Sequence, residues 1–429
     1  MEGTLKNGTT LQSQNGQRYT VNAMLGSGGQ GEVYDVSKNG QHYALKWYFK
    51  HTATKQQKEI LSNLLDKGSP SPFFLWPEDL LEDNSQGIFG YIMPLRPKEY
   101  KNIVDLMKRR TEPTFLNLCR ACFNLAKGYS LLHTEGYQYR DISFGNVFFN
   151  PNNGDILICD NDNVVPNGIK NGGVLGTPRF MAPEIVRGEA HPSRNTDKYS
   201  LAVLLFYMLM INHPLEGALE ASIKCMDTPA LNKLYGTHPV FIYDPKDTSN
   251  RPVKGWQDNA IIFWNLYPKY IQDLFIQSFT IGLHEPEKRV TEGEWITAFS
   301  NLIGGWLKCP HCGEEVFFDP EKEVKCWNCK KTVNMPSKLV IGKTRIPITV
   351  DKKIYSHFIH RDNDMDTVVA EFVINPKNPQ IWGVRNKTST NWTYTKADNT
   401  QMIVENGKAA TIAPNTKIDF GNNVVGHFE

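Results

Sequence analysis

From about residue 18 to residue 50, polar and apolar positions alternate between glycine-rich turns, the rhythm of antiparallel strands with one buried face. From about 114 to 135 the period changes. FLNLCRACFNLAKGYSLLHTEG repeats its apolar residues at helical spacing and runs into a glycine. The run LAVLLFYMLMI, 201 to 211, predicts a second helix, buried all round and far too short to span a bilayer. After Pro336 the chain breaks into short alternating runs (VVAEFVI, TQMIV, AATIA, KIDFG) between Asn, Gly and Pro, which predicts a small all-β unit. A cysteine-bearing segment separates the two regions. The expected architecture is therefore multidomain α+β, divided at 1–306, 307–335 and 336–429.

A chain of 429 residues suits two or three domains. Its formal charge of +2 points neither to nucleic acid nor to an anionic membrane. MEGTLKNGTT lacks the basic-then-apolar layout of a secretory signal, and the cysteines form no disulfide framework, so the cytoplasm is the expected compartment.

Candidate chemistry begins with MLGSGGQGEVYDV, where Gly26, Gly28 and Gly31 have G-x-G-x-x-G spacing. A dinucleotide-binding turn uses the same glycines but should run directly into a helix. Here GEVYDV continues as a strand, then a KNG turn, then YALKWY. A strand–glycine loop–strand flap can cover a triphosphate with its backbone N–H groups, and Lys46 in the next strand would reach the phosphates. Further on, YQYRDISFGNVFFN places Asp141 to orient and deprotonate a hydroxyl, with Asn146 five residues later able to hold a metal ion. ILICDNDNV then ends an apolar strand in Asp160, a hard ligand for Mg²⁺.

With GTPRFMAPE (176 to 184), TDKYSLAVLLFYML (196 to 209) and Arg289 following in order, residues 18 to 305 resemble a eukaryotic-type Ser/Thr protein kinase. The resemblance implies a two-lobed fold that uses ATP and Mg²⁺. It implies that Gly26, Gly28 and Gly31 line the phosphate flap and Lys46 contacts the α/β-phosphates. Asp141 would be the catalytic Asp, and Asn146 and Asp160 would hold Mg²⁺. Thr177 would lie where the protein substrate is received. Glu184 and Arg289 would form the family's buried ion pair, and Asp197 would brace the catalytic loop.

Four positions depart from the pattern. Ser143 stands where a phosphate-neutralising Lys is usual, and Gly145 supplies no Arg in its place. Asp160–Asn161–Asp162 lacks the usual Phe and Gly, and Asp162 reads as a solvated loop residue. The helix TKQQKEILSNLLDKG should carry an acid for Lys46. Yet Glu59 and Asp66 point away from the stripe Ile60, Leu61, Leu64 and Leu65, while Gln57 points inward. Finally, residues 161 to 176 contain no Ser, Thr or Tyr, so Arg140 has no activating phosphate to receive from this loop. A nucleotide-binding pseudokinase scaffold is the alternative reading, favoured by Ser143. A small-molecule kinase is a third, disfavoured by GTPRFMAPE.

In KCPHCGEEVFFDPEKEVKCWNCKK, Cys309, Cys312, Cys326 and Cys329 form two C-x₂-C knuckles thirteen residues apart, the spacing of a zinc ribbon holding Zn²⁺. His311 reads as exposed filler, and Lys330–Lys331 as a solvated edge and not a nucleic-acid site. Many such ribbons are docking modules. The final segment, 336–429, is similar in rhythm to forkhead-associated β-sandwiches. That resemblance implies a phosphoprotein partner, with Ser356 and Asn386 as candidate phosphate contacts, alongside the alternative of a plain β-sandwich.

Overall fold

The computed structural model describes residues 3–169, 173–350 and 352–429. Strands β1 (Thr10–Gln12), β2 (Arg18–Ser27), β3 (Gly31–Lys38) and β4 (Gln41–Tyr48) lead into helix α1 (Lys55–Lys67), then β5 (Asp79–Asp83) and β6 (Ile88–Pro94). They form one antiparallel sheet in the order β1-β2-β3-β4-β6-β5. The register pairs Lys46 with Tyr91 across β4 and β6. Tyr48 lies two residues along β4, so these three side chains share one face. A Cβ at Gly31 would collide with the Trp47 carbonyl, so β3 and β4 require a glycine there. Cβ atoms at Gly26 and Gly28 would meet open space. Those two glycines keep room free above the sheet and are not demanded by packing.

The helical part is built around α2 (Phe115–Thr134) and α3 (Arg194–Met210), both nearly encased in the main hydrophobic core. The apolar periods at 114 to 135 and 201 to 211 thus report these two helices. Between them, strands β7 (Val147–Phe149) and β8 (Ile156–Ile158) pair antiparallel and carry the loop that bears Asp160. Helices α4 (Lys269–Phe279) and α5 (Glu292–Gly305) complete this part, the latter opened by a reciprocal capping box between Thr291 and Glu294.

Helix α5 passes without a linker into β9 (Trp306–Lys308), which pairs with β10 (Glu315–Phe317). The Glu315 carboxylate accepts from the first-turn N–H groups of α2, Phe115 at 2.5 Å and Leu116 at 3.2 Å, and from Trp306 Nε1 at 2.7 Å. An acid there satisfies orphan helix donors and faces the positive end of the helix dipole. Trp327, between the last two cysteines, packs edge-on against Phe115. The cysteine segment consequently caps α2, a contact that the docking-module expectation does not include.

The last part comprises β11 (Lys338–Ile341), β12 (Thr344–Pro347), β13 (Lys353–Tyr355), a short α6 (Ser356–His360), β14 (Val368–Asn375) and β15 (Asn378–Asn386). It ends with β16 (Trp392–Thr395), β17 (Gln401–Val404), β18 (Ala409–Thr411), β19 (Lys417–Asp419) and β20 (Val425–Phe428). Two sheets result, ordered β12-β11-β20-β19-β16-β17 and β13-β14-β15-β18. Their apolar faces join the same core as α2 and α5. Around this contact Arg120 of α2 binds Asp366 at 2.6 Å, and Lys127 donates to the Asn363 carbonyl at 2.8 Å. Buried Lys352 donates to the Ile303 and Trp306 carbonyls at 2.9 and 2.8 Å, closing the end of α5.

The expected phosphate contacts need correction. Ser356 is buried and donates to Asp362 Oδ2 at 2.5 Å. Asn386 is fully buried, with Nδ2 spent on the Thr390 and Val404 carbonyls at 2.7 and 2.9 Å, and its Oδ1 accepts from Thr388 N. Both side chains hold their own loops together, so neither presents a donor to a ligand.

Candidate active site

The loop 137–150 is held from below. Asp197, at the first turn of α3, accepts from the backbone N–H groups of Tyr139 at 2.6 Å and Arg140 at 3.0 Å. His133, on the last turn of α2, joins Asp197 (3.1 Å) to Glu292 (2.8 Å) of α5. Burial alone would push this imidazole down. Hydrogen bonds to both carboxylates outweigh it and raise the pKa to about 9. Because this folded value lies above the ordinary 6.5, the stabilisation is complete below about pH 6.5 and is lost as pH rises through 9. The shift corresponds to about 3 kcal/mol. Denaturant titrations at pH 6 and pH 9.5 should show that loss, and His133→Gln should flatten it. An equal loss in the variant would place the titration elsewhere.

Above this support, Asp141 Oδ1 accepts from Thr177 Oγ1 at 2.8 Å. Asn146 Nδ2 donates to Asp141 Oδ2 at 3.0 Å and to its carbonyl at 2.9 Å. The sequence-predicted pair thus comes together, with Thr177 from the GTPRFMAPE stretch as third member. Arg140 is buried, its Nε donating to the Asn163 carbonyl at 2.7 Å. Residues 170–172, within the stretch lacking phosphate acceptors, lie outside the described residues. Glu184 and Arg289 form the expected bidentate pair, two bonds of 2.8 Å.

Asp160, two residues beyond β8, adopts the left-handed conformation (φ 50°), and its half-exposed carboxylate lies 3.5 Å from Lys46. Burial, opposed by Lys46 and reinforced by Asp162, holds its carboxyl above the ordinary range. An acid in that condition gains from a divalent cation, and Asp160 with Asn146 offers hard oxygen donors suited to Mg²⁺. Asn161 replaces the apolar plug with an amide staple. It is fully buried and donates to the Leu75 and Ile158 carbonyls at 2.8 and 3.0 Å.

The largest correction concerns Asp162. It is no solvated loop residue, being 1% exposed. Lys46 Nζ donates to both of its oxygens, at 2.9 and 3.1 Å, and the hydroxyls of Tyr48 and Tyr91 bond the same carboxylate. Burial works against the Lys46 ammonium, but Asp162 and then Asp160 hold its pKa above the ordinary value. The partner of Lys46 is therefore neither Gln57 nor Glu59. Gln57 does point inward, donating to the Asp162 carbonyl at 3.0 Å, while Glu59 is exposed beside Lys55. The available signal was the alternation in YALKWY, which puts Tyr48 on the Lys46 face with a hydroxyl that needs a polar partner.

The four cysteine sulfurs lie within 4.8 Å of one another, with Cys309–Cys329 at 3.8 Å and Cys312–Cys326 at 3.5 Å. A tetrahedron with Zn–S bonds of about 2.3 Å has edges of about 3.8 Å, so the cluster fits Zn²⁺. His311 sits apart at the surface, its Nε2 3.2 Å from the Thr332 carbonyl.

This architecture and site coincide with a match to the protein kinase domain family over residues 19–274, more than half of the chain, and the protein belongs to that family. Similar proteins include the probable serine/threonine-protein kinase CCRP1 of Zea mays, 28% identical over 47% of this chain and 32% of its own. Protein kinase YegI of Escherichia coli K12 is 23% identical over 71% of this chain and 48% of its own. The chain thus spans about a third to a half of the length of these relatives. Among the described residues no helix is long and apolar enough to cross a membrane.

Proposed function

We propose that this chain is an ATP- and Mg²⁺-dependent protein kinase that phosphorylates Ser and Thr hydroxyls of protein substrates. The observation that carries this reading is the assembly of Asp141, Asn146 and Thr177 within 3.0 Å contacts, beside a Lys46–Asp160 approach of 3.5 Å. Asp141 would orient the acceptor hydroxyl and take its proton as the new O–P bond forms and the bond to the leaving ADP breaks. Lys46 would hold the α/β-phosphates under the flap of Gly26, Gly28 and Gly31, whose open surroundings leave space for them. Asn146 and Asp160 would hold Mg²⁺, which when bound offsets phosphate charge. The similarity of GTPRFMAPE to Ser/Thr-type sequences, and the names of the relatives, support the acceptor class.

Cys309, Cys312, Cys326 and Cys329 are assigned to structural Zn²⁺ in a ribbon over residues 307–335. The strand order of 336–429 supports a forkhead-associated-like sandwich. Because Ser356 and Asn386 are committed internally, we give it a bracing role on α2 and not phosphothreonine capture. The domain limits 1–306, 307–335 and 336–429 belong to this reading.

Ser143 favours a second reading, a nucleotide-binding scaffold without transfer. Incubating the chain with labelled Mg·ATP and candidate proteins, then locating phosphate by mass spectrometry, separates the two. Phosphoserine or phosphothreonine is the expected product. ATP binding without any incorporation would support the scaffold, and label found on a metabolite alone would support a small-molecule kinase.

A further inference from the structure

The sheet register and the loop after β8 converge on one buried carboxylate. Lys46 and Tyr91 are cross-strand partners, Tyr48 shares their face, and all three end on Asp162. A buried carboxylate is tolerated only when its lone pairs are filled and its charge is matched. Two tyrosine hydroxyls and one ammonium meet both conditions. The opposite side is closed by α1, which contributes no charge. Gln57 donates to the Asp162 carbonyl and lies 3.4 Å from the Tyr48 hydroxyl. Glu59, at 64% side-chain exposure, is engaged by Lys55. Gln30, in the glycine loop, accepts from Lys46 at 2.9 Å and completes the cage.

We propose that Asp162 is the positioning residue for Lys46, so that one short loop supplies both a metal-binding carboxylate, Asp160, and the anchor of the phosphate-binding lysine. This rests on the kinase reading above and adds how its lysine is held. An anchoring acid on a separate helix would release the lysine whenever that helix moved. Here the anchor is two residues from Asp160 and is itself stapled by Asn161. The Lys46–Asp162 contact itself involves no residue of α1, whose Gln57 reaches the Asp162 carbonyl and the Tyr48 hydroxyl. The lysine and the metal ligand would be ordered or lost together, and control through α1 or through a phosphorylated loop is not required.

The test uses the full chain and two readouts, Mg·ATP affinity by titration calorimetry and transfer of labelled phosphate. Asp162→Asn keeps the shape and can still accept from one of the tyrosines, but removes the charge opposite Lys46. It is expected to weaken Mg·ATP binding about tenfold and transfer by about 10- to 100-fold, and to lower the melting temperature, since the buried Lys46 ammonium keeps only Asp160, at 3.5 Å, as counter-charge. Asp162→Glu keeps a carboxylate opposite Lys46 and should recover most of both losses. Such recovery is an effect that a purely structural residue would not give. Glu59→Gln should match the wild type.

Wild-type binding and transfer in Asp162→Asn would overturn the proposal. So would higher transfer, which would make the contact an inhibitory clamp, or losses that are as large in Asp162→Glu. If the wild type binds Mg·ATP with this Asp162 dependence yet transfers nothing, the phosphotransfer reading fails and the positioning role stands. A wild type that binds no nucleotide removes both.

Discussion

Asp141→Asn is expected to lower phosphate transfer by about 10²- to 10⁴-fold, the range associated with a positioned general base. The substitution is nearly isosteric. Thr177 Oγ1 and Asn146 Nδ2 donate to the two Asp141 oxygens, and an amide can keep one of those bonds through its own oxygen. The loop is otherwise fixed by the Asp197 carboxylate, which accepts from the backbone N–H groups of Tyr139 and Arg140 just before Asp141, so its path should persist. ATP affinity and melting temperature are therefore expected to stay near wild type, and the loss should appear in kcat. Steady-state kinetics with saturating Mg·ATP reads this directly. Unchanged turnover would remove Asp141 from the chemistry and favour the scaffold reading, with Ser143 as its marker.

The second large effect is on stability. Removing Zn²⁺ with a chelator, or replacing Cys326 by Ser, is expected to cost several kcal/mol. Zinc affinity in small sites is in effect folding energy, and this hairpin has little core of its own. The damage should not stay local. Glu315 on β10 caps the start of α2, and Trp327 packs on Phe115 at the same turn, so losing the ribbon frays the helix at the centre of the core. Thermal unfolding should shift down or split, and limited proteolysis should open sites within 307–335. Cys225→Ser, which removes an exposed cysteine outside the cluster, is the control. A melt unchanged after verified metal removal would leave the cysteines without a structural role.

Much of the site was legible because its parts are local in sequence. Asp141 and Asn146 sit five residues apart on one loop, and their mutual hydrogen bond follows from that spacing. The inward position of Gln57 and the outward one of Glu59 follow from helical period alone. The four cysteines come as two local knuckles, so only one long-range closure was needed.

Asp162 was not legible in the same way. In NDND it has the neighbours of a solvated turn, and its burial depends on groups 71 to 116 residues away. Ser356 and Asn386 failed likewise, since a loop residue's freedom depends on what its own turn and the neighbouring strands leave open to it. The sequence by itself determined the main helices and strands, the loop that brings Asp141 to Asn146 and the metal-suited clusters, because period and short spacing set which side chains share a face. Only the tertiary structure decided which acid holds Lys46, that the cysteine hairpin caps α2, and that the β-sandwich is bound to it. Those outcomes depend on desolvation and on partners brought together from distant parts of the chain, which no local pattern encodes.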